Sequence, residues 1–137
     1  MLKLIKILLG PKTLLKLALS YTFLLLVLSL ISLEKLPDTN IKFADKIAHG
    51  IAYFLFFINW FLYVFFKSKT PLFSFKSNII KVLVFGMIYG IIIEVLQTVA
   101  THYRQGDFLD LLANGLGLLL GAILVFIMRA KLKGLKK

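Results

Sequence analysis

Residues 79–100 read IIKVLVFGMIYGIIIEVLQTVA, an apolar run broken only by Lys81 near its start and by Glu94 and Gln97 further in. As a helix, 22 such residues extend about 33 Å, close to the ~30 Å hydrocarbon core of a bilayer. Three more runs of this kind occur: Leu14–Leu33, interrupted by Lys16; Ile47–Phe66, carrying His49 and Asn59; and Leu111–Met128, begun a turn earlier near Asp107. The sequence therefore predicts an all-α integral membrane four-helix bundle. Its spans lie at about 14–33, 47–66, 79–100 and 108–128, within a single domain covering residues 1–137. A β-barrel would need ~10-residue alternating segments, and the chain has none.

Composition agrees. The chain is 60% apolar and 17% charged, against ~45–50% and ~25% in soluble domains. Mean hydropathy is +0.92. With no cysteine, disulfides, thiolate metal sites and cysteine nucleophiles are excluded. Lys3, Lys6, Lys12 and Lys16 precede the first run as they would in a signal peptide, but the run is too long and no Ala-x-Ala-type site follows. It is read as an uncleaved span. Leu2, Ile5, Leu8 and Leu9 alternate with Lys3 and Lys6, a pattern that predicts a short interfacial helix ended by Gly10-Pro11.

The net charge of +11 would point to nucleic acid in a soluble protein. Here its distribution explains it. Four bases precede the first run, four (Lys67, Lys69, Lys76, Lys81) surround the second loop, and five (Arg129, Lys131, Lys133, Lys136, Lys137) form the tail. The opposite side holds only Lys35, Lys42, Lys46 and Arg104. The positive-inside rule places both termini in the cytoplasm, with the bases along an anionic leaflet and no nucleic-acid partner expected.

Polar groups inside a membrane are costly and therefore informative. Asp45, His49 and Tyr53 recur at i, i+4, i+8 on the second span; Glu94, Gln97, Thr98 and Thr101 share a face of the third; Asp107, Asp110 and Asn114 recur at i, i+3, i+7 on the fourth. Antiparallel spans bring these three stripes to one end of the bundle. The small-residue rows Gly86/Gly90 and Ala113/Gly117/Gly121 predict close packing of spans three and four. The first span, carrying only Lys16 and a few hydroxyls, is read as a wall. Trp60 is read as an anchor near the cytoplasmic interface.

Each polar residue also has a plain structural use. Asp107 is placed to cap the fourth helix, with Asp110 in a capping-box-like position, and Asp45 is placed to cap the second. His49, Gln97 and Asn114 are suited to bridge helices, and Arg104 is suited to be an ordinary loop charge. Glu94 has no such use: a carboxylate about 9 Å below its helix end needs a partner or a proton.

Asp45-Lys46-x-x-His49, Glu94-x-x-Gln97 and Arg104-x-x-Asp107-x-x-Asp110-x-x-x-Asn114-x-x-Gly117-x-x-x-Gly121 occur in this order. Together they resemble the motifs of the VanZ-like membrane protein family, over roughly Leu33 to Phe126. The resemblance implies a multi-pass protein of the bacterial cytoplasmic membrane. It also implies a link to the family namesake's low-level resistance to the glycopeptide teicoplanin. One departure is Ile93, where the family often carries a second acidic residue beside the glutamate.

The expected site places Glu94, His49 and Asp110 in catalytic positions and Asp45, Lys46, Gln97, Arg104, Asp107 and Asn114 in ligand contact. Three chemistries fit. Lys46 and Arg104 grip the phosphate of an envelope lipid or lipid-linked cell-wall precursor while Glu94 or His49 moves a proton. Alternatively, His49 and two or three carboxylates hold a divalent cation; no tight spacing such as His-x-x-x-His supports this, so neither metal nor cofactor is expected. In the third, the network does no chemistry and locks the bundle as an accessory protein. A small transporter fits less well, because the polar residues gather at one end and no inverted repeat is visible.

Overall fold

The computed structural model describes residues 9–30, 44–68, 74–100 and 107–135. Among them the chain forms five helices: α1 (Pro11–Leu30), α2 (Ala44–Lys67), α3 (Ser74–Ala100), α4 (Phe108–Ile127) and α5 (Arg129–Leu135). The first four are long and apolar enough to cross a membrane. The chain is a multi-pass, all-α membrane bundle.

The helix boundaries follow local chemistry. Pro11 opens α1, where its missing N–H costs nothing, and the Gly10 carbonyl accepts the first helical bond from Leu14. Asp107 caps α4 in an extended conformation, its side chain accepting from the Leu109 N–H at 2.8 Å. Met128 ends α4 and its N–H bonds back to the Leu124 and Phe126 carbonyls. The chain then turns into α5, which buries Leu132 and sets Arg129 6.0 Å from the centroid of the Phe75 ring. The basic tail thus begins as a short packed helix, not foreseen from its charge. The proposed interfacial segment at residues 1–8 and the last residues of the first predicted span lie outside the described residues.

α2 is the central helix. Its i+4 row runs Asp45, His49, Tyr53, Phe57, Phe61, Phe65, polar at one end and aromatic below. The aromatic part is the core: Phe56, Phe57 and Phe61 are fully buried. Phe57 stacks on Phe61 at 5.9 Å between ring centroids, and Phe61 on Phe65 at 5.7 Å. Phe75 and Val82 of α3, Leu118, Ala122 and Val125 of α4, and Leu132 of α5 close around it. Lipid is as apolar as these side chains, so close packing rather than water exclusion holds them together.

The most extensive helix contact joins α2 to α4, not α3 to α4 as the small-residue rows led us to expect. The Ala113/Gly117/Gly121 row faces α2. A Cβ on Gly117 would lie 2.1 Å from the Gly50 carbonyl oxygen, and one on Gly121 would meet the Phe57 ring at 2.9 Å. Gly86 of α3 meets only the flexible end of Leu118. Gly117 is the reason: with no side chain there, the α4 backbone comes directly against the Gly50 carbonyl of α2, whereas a Cβ on Gly50 itself would meet the Ala113 carbonyl oxygen only at 3.7 Å.

α1 is tied to the bundle by hydrogen bonds. Tyr21 Oη donates to the Ala52 carbonyl at 3.0 Å, Tyr89 Oη to the Thr22 carbonyl at 2.6 Å, and Trp60 Nε1 to Thr22 Oγ1 at 2.9 Å. Trp60, half-buried on α2, is thus bonded to α1. An indole N–H inside a bundle needs an acceptor, and Thr22 supplies one.

Candidate functional site

The C-terminal ends of α1 and α3 and the N-terminal ends of α2 and α4 lie together, and there the predicted polar stripes converge. Lys46 is the hub. Its Nζ lies 2.8 Å from Asp45 Oδ2, 2.6 Å from Asp107 Oδ2 and 2.6 Å from Asp110 Oδ1. One ammonium thus ties the first turn of α2 to both acidic residues that open α4. These carboxylates also sit at helix N-termini, where the backbone dipole favours negative charge. The Lys46 ammonium and the Leu109 N–H hold the Asp107 carboxyl below its ordinary pKa.

Below Lys46, His49 reaches α4. Its Nδ1 is 3.0 Å from Asn114 Oδ1 and its Nε2 is 3.9 Å from Asp110 Oδ2. Asn114 Oδ1 can only accept, so Nδ1 carries the ring proton and Nε2 turns a lone pair toward the Asp110 carboxylate in the neutral ring. At 3.9 Å the two atoms are too far apart for a hydrogen bond. Asn114 is fully buried and Asp110 nearly so.

Glu94 joins α3 to the same point. Its Oε2 accepts the Asp107 backbone N–H at 3.4 Å. In a capping box that N–H is taken by the residue three positions on, here Asp110. In this protein Asp110 turns to Lys46 instead, and a glutamate from a neighbouring helix takes the reciprocal place. His49, Glu94 and Asp110 bring one ligand-capable atom each to within 4.8 Å of one another.

The remaining predicted residues divide. Gln97 is buried and donates from Nε2 to the Ser29 carbonyl of α1 at 2.9 Å, a helix bridge. Thr98 is exposed and bonds the Glu94 carbonyl on its own helix, so it leaves the stripe. Arg104 and Thr101 lie outside the described residues.

A cavity of about 330 Å³ opens between α1, α2 and α3 beside this cluster. Leu25, Leu28, Ala52 and Ile93 give it apolar walls, and Asp45, His49, Ser29 and Gln97 supply its polar groups. It extends from Asp45 down to Tyr53, about 12 Å along α2. His49 is shared: it lines the cavity and its ring nitrogens face α4. The cavity walls could not be read from the sequence, because Leu25 and Leu28 look like any lipid-facing leucine. Tyr53 was legible as the third member of its stripe.

A protein-family model described as VanZ/LLP1 matches residues 7–129, most of the chain. No curated protein and no solved structure matches the chain significantly.

Proposed function

The chain belongs to the VanZ/LLP1 family, and we propose that its polar end binds the head group of an envelope lipid or lipid-linked cell-wall precursor. In this reading the site faces outward from a bacterial cytoplasmic membrane, with both termini inside. The loop charges support that orientation, with thirteen bases on the side of the termini and four on the other.

The observation that carries the reading is the cavity. Its volume lies at the small end of the ~300–1,000 Å³ range of small-molecule sites. Its apolar walls are continuous with the lipid-facing surface, and its polar groups gather at the end where a head group sits. Lys46, beside the cavity and bonded to three carboxylates, and Arg104, three residues before Asp107 in sequence, are the cations this reading assigns to a phosphate. His49, at the border of cavity and carboxylates, and Glu94 and Asp110 behind it are placed to exchange a proton with a bound ligand.

The test is native mass spectrometry of the full chain in nanodiscs supplied with a long-chain polyprenyl phosphate or with the matching neutral polyprenol. Retention of the phosphate over the alcohol, weakened at least tenfold in Lys46→Met/Arg104→Gln, is the expected outcome. Equal retention of both removes the phosphate from the reading. In a teicoplanin-sensitive host, protection by wild type and its loss in Glu94→Gln at equal membrane abundance would tie the family phenotype to this site.

A second reading rests on Lys46. An ammonium already bonded to three carboxylates resembles a lock on the bundle end, as in a non-catalytic accessory protein. That reading predicts that Glu94→Gln and Asp110→Asn keep any phenotype once folding is confirmed.

A further inference from the structure

Among the described residues, the carboxylates of Asp45, Asp107 and Asp110 contact the Lys46 ammonium, and that of Glu94 accepts the Asp107 N–H beside them. Negative charge is in excess among these groups. Something must offset it, and three of the side chains are arranged to hold that something. We propose that His49, Glu94 and Asp110 form a site for one first-row divalent cation of the manganese or zinc class. The inference concerns the pole of the bundle assigned above to a lipid head group, but it does not require that lipid.

Geometry carries it. The ligand-capable atoms of the three residues lie within 4.8 Å of one another. Metal–ligand bonds of ~2.0–2.2 Å place two ligands of a tetrahedral ion ~3.3–3.6 Å apart, so closure needs side-chain movement of up to about 1 Å. The 3.9 Å separation of His49 Nε2 from Asp110 Oδ2 is too long for a hydrogen bond and a few tenths of an ångström beyond that range. The Asn114 carbonyl oxygen, 3.0 Å from His49 Nδ1, turns the other nitrogen inward, the outer contact that metal-binding histidines ordinarily have. The ligands come from α2, α3 and α4, so no short sequence spacing announces them.

A second observation points to a ligand in the same place. Tyr53 is 96% buried and its hydroxyl has no hydrogen-bond partner among the described residues; the fully buried Asn114 Nδ2 has none there either. Both converge on Gly90, each 3.4 Å from where its Cβ would stand. Tyr53, Gly90 and Asn114 lie one turn below His49, Glu94 and Asp110 respectively, so these two polar atoms form the floor beneath the three ligands. Buried polar groups are seldom left unpaired. Water on a bound cation offers Tyr53 its missing partner. One imidazole with two carboxylates suits a first-row ion better than magnesium or calcium, which prefer oxygen alone.

The test uses the purified full chain in detergent, stripped with a chelator and titrated with Mn²⁺ alone, with free Mn²⁺ counted by electron paramagnetic resonance. One ion per chain is expected, displaced by equimolar Zn²⁺ but not by excess Mg²⁺. Affinity should fall at least tenfold in His49→Gln, Glu94→Gln and Asp110→Asn in protein that keeps its helical circular-dichroism spectrum. Because a variant can misfold, the wild-type ion is also examined by electron spin echo modulation. A single imidazole nitrogen coupling is expected, retained in His102→Gln. Absence of stoichiometric binding, absence of that coupling, or binding lost only in Asp45→Asn/Asp107→Asn overturns the site. Mn²⁺ binding without polyprenyl phosphate retention defeats the lipid reading alone. Phosphate retention without stoichiometric Mn²⁺ binding defeats the cation alone.

Discussion

Gly117 of α4 rests against the carbonyl of Gly50 of α2 so closely that a Cβ would stand 2.1 Å from that oxygen. The contact lies next to His49 in sequence and one turn from Asn114, so it sets the distance across which the α2 and α4 polar groups meet. Gly117→Ala must push the two backbones apart. A loss of about 1–3 kcal/mol, the usual cost of overpacking, is expected, together with loss of the His49–Asn114 bond. Gly86→Ala is the contrast: its new methyl meets the δ-carbons of Leu118, which can rotate away. Reversible unfolding in mixed micelles should show a large loss for the first and a small one for the second. Equal losses would contradict the close backbone approach.

His49 and Asn114 should behave as one unit. Asn114→Ala leaves the His49 Nδ1–H without its acceptor in a buried place, at a cost of about 1–3 kcal/mol. His49→Phe/Asn114→Leu removes both partners and should cost less than the sum of the single changes. A double-mutant cycle of unfolding free energies is expected to give a coupling of about 0.5–3 kcal/mol. Strict additivity would mean the 3.0 Å pair contributes nothing.

Much of this arrangement was legible in the sequence. Four apolar runs of span length gave the bundle, and polar residues at helical spacing gave the end where they meet. The Asp107 cap was readable from its position before Phe108. The partners were harder. A row of small residues shows that some backbone comes close, but not which one; here the Gly117 row meets the α2 backbone at Gly50. The acceptor of the Trp60 indole was not legible, because Thr22 lies 38 residues away. The role of Glu94 as acceptor for the Asp107 N–H links α3 to α4 through a side-chain rotamer that no spacing encodes.

Asp107 gives the site a dependence on acidity. Its carboxyl is held below the ordinary aspartate value by the Lys46 ammonium first and the Leu109 N–H second. A group whose folded pKa is lowered stabilises the fold above its unfolded value, about 3.9, and loses that contribution as pH falls through the folded value. Wild type should therefore melt above Asp107→Asn at pH 6, with the gap closing below about pH 4. Asparagine caps a helix nearly as well as aspartate, so Asp107→Ala should melt lowest at pH 6. A gap that persists unchanged at pH 3 would remove the charge from the explanation.

The cavity can be filled without touching the polar cluster. Ala52 lies on its wall between α1 and α2, flanked by Leu25 and Tyr53. Ala52→Phe places a ring in a space of about 330 Å³, while Lys46, Glu94 and Asp110 keep their own contacts. If a lipid chain enters here, retention of polyprenyl phosphate should fall at least tenfold, since losing a few buried methylenes at ~0.8 kcal/mol each exceeds that factor. Ile123→Phe, on an exposed apolar face of α4, should leave retention unchanged. Mn²⁺ binding should survive Ala52→Phe, because none of the proposed cation ligands is displaced. Loss of both would show that the ring disturbed the bundle. Loss of neither would move the lipid to another surface.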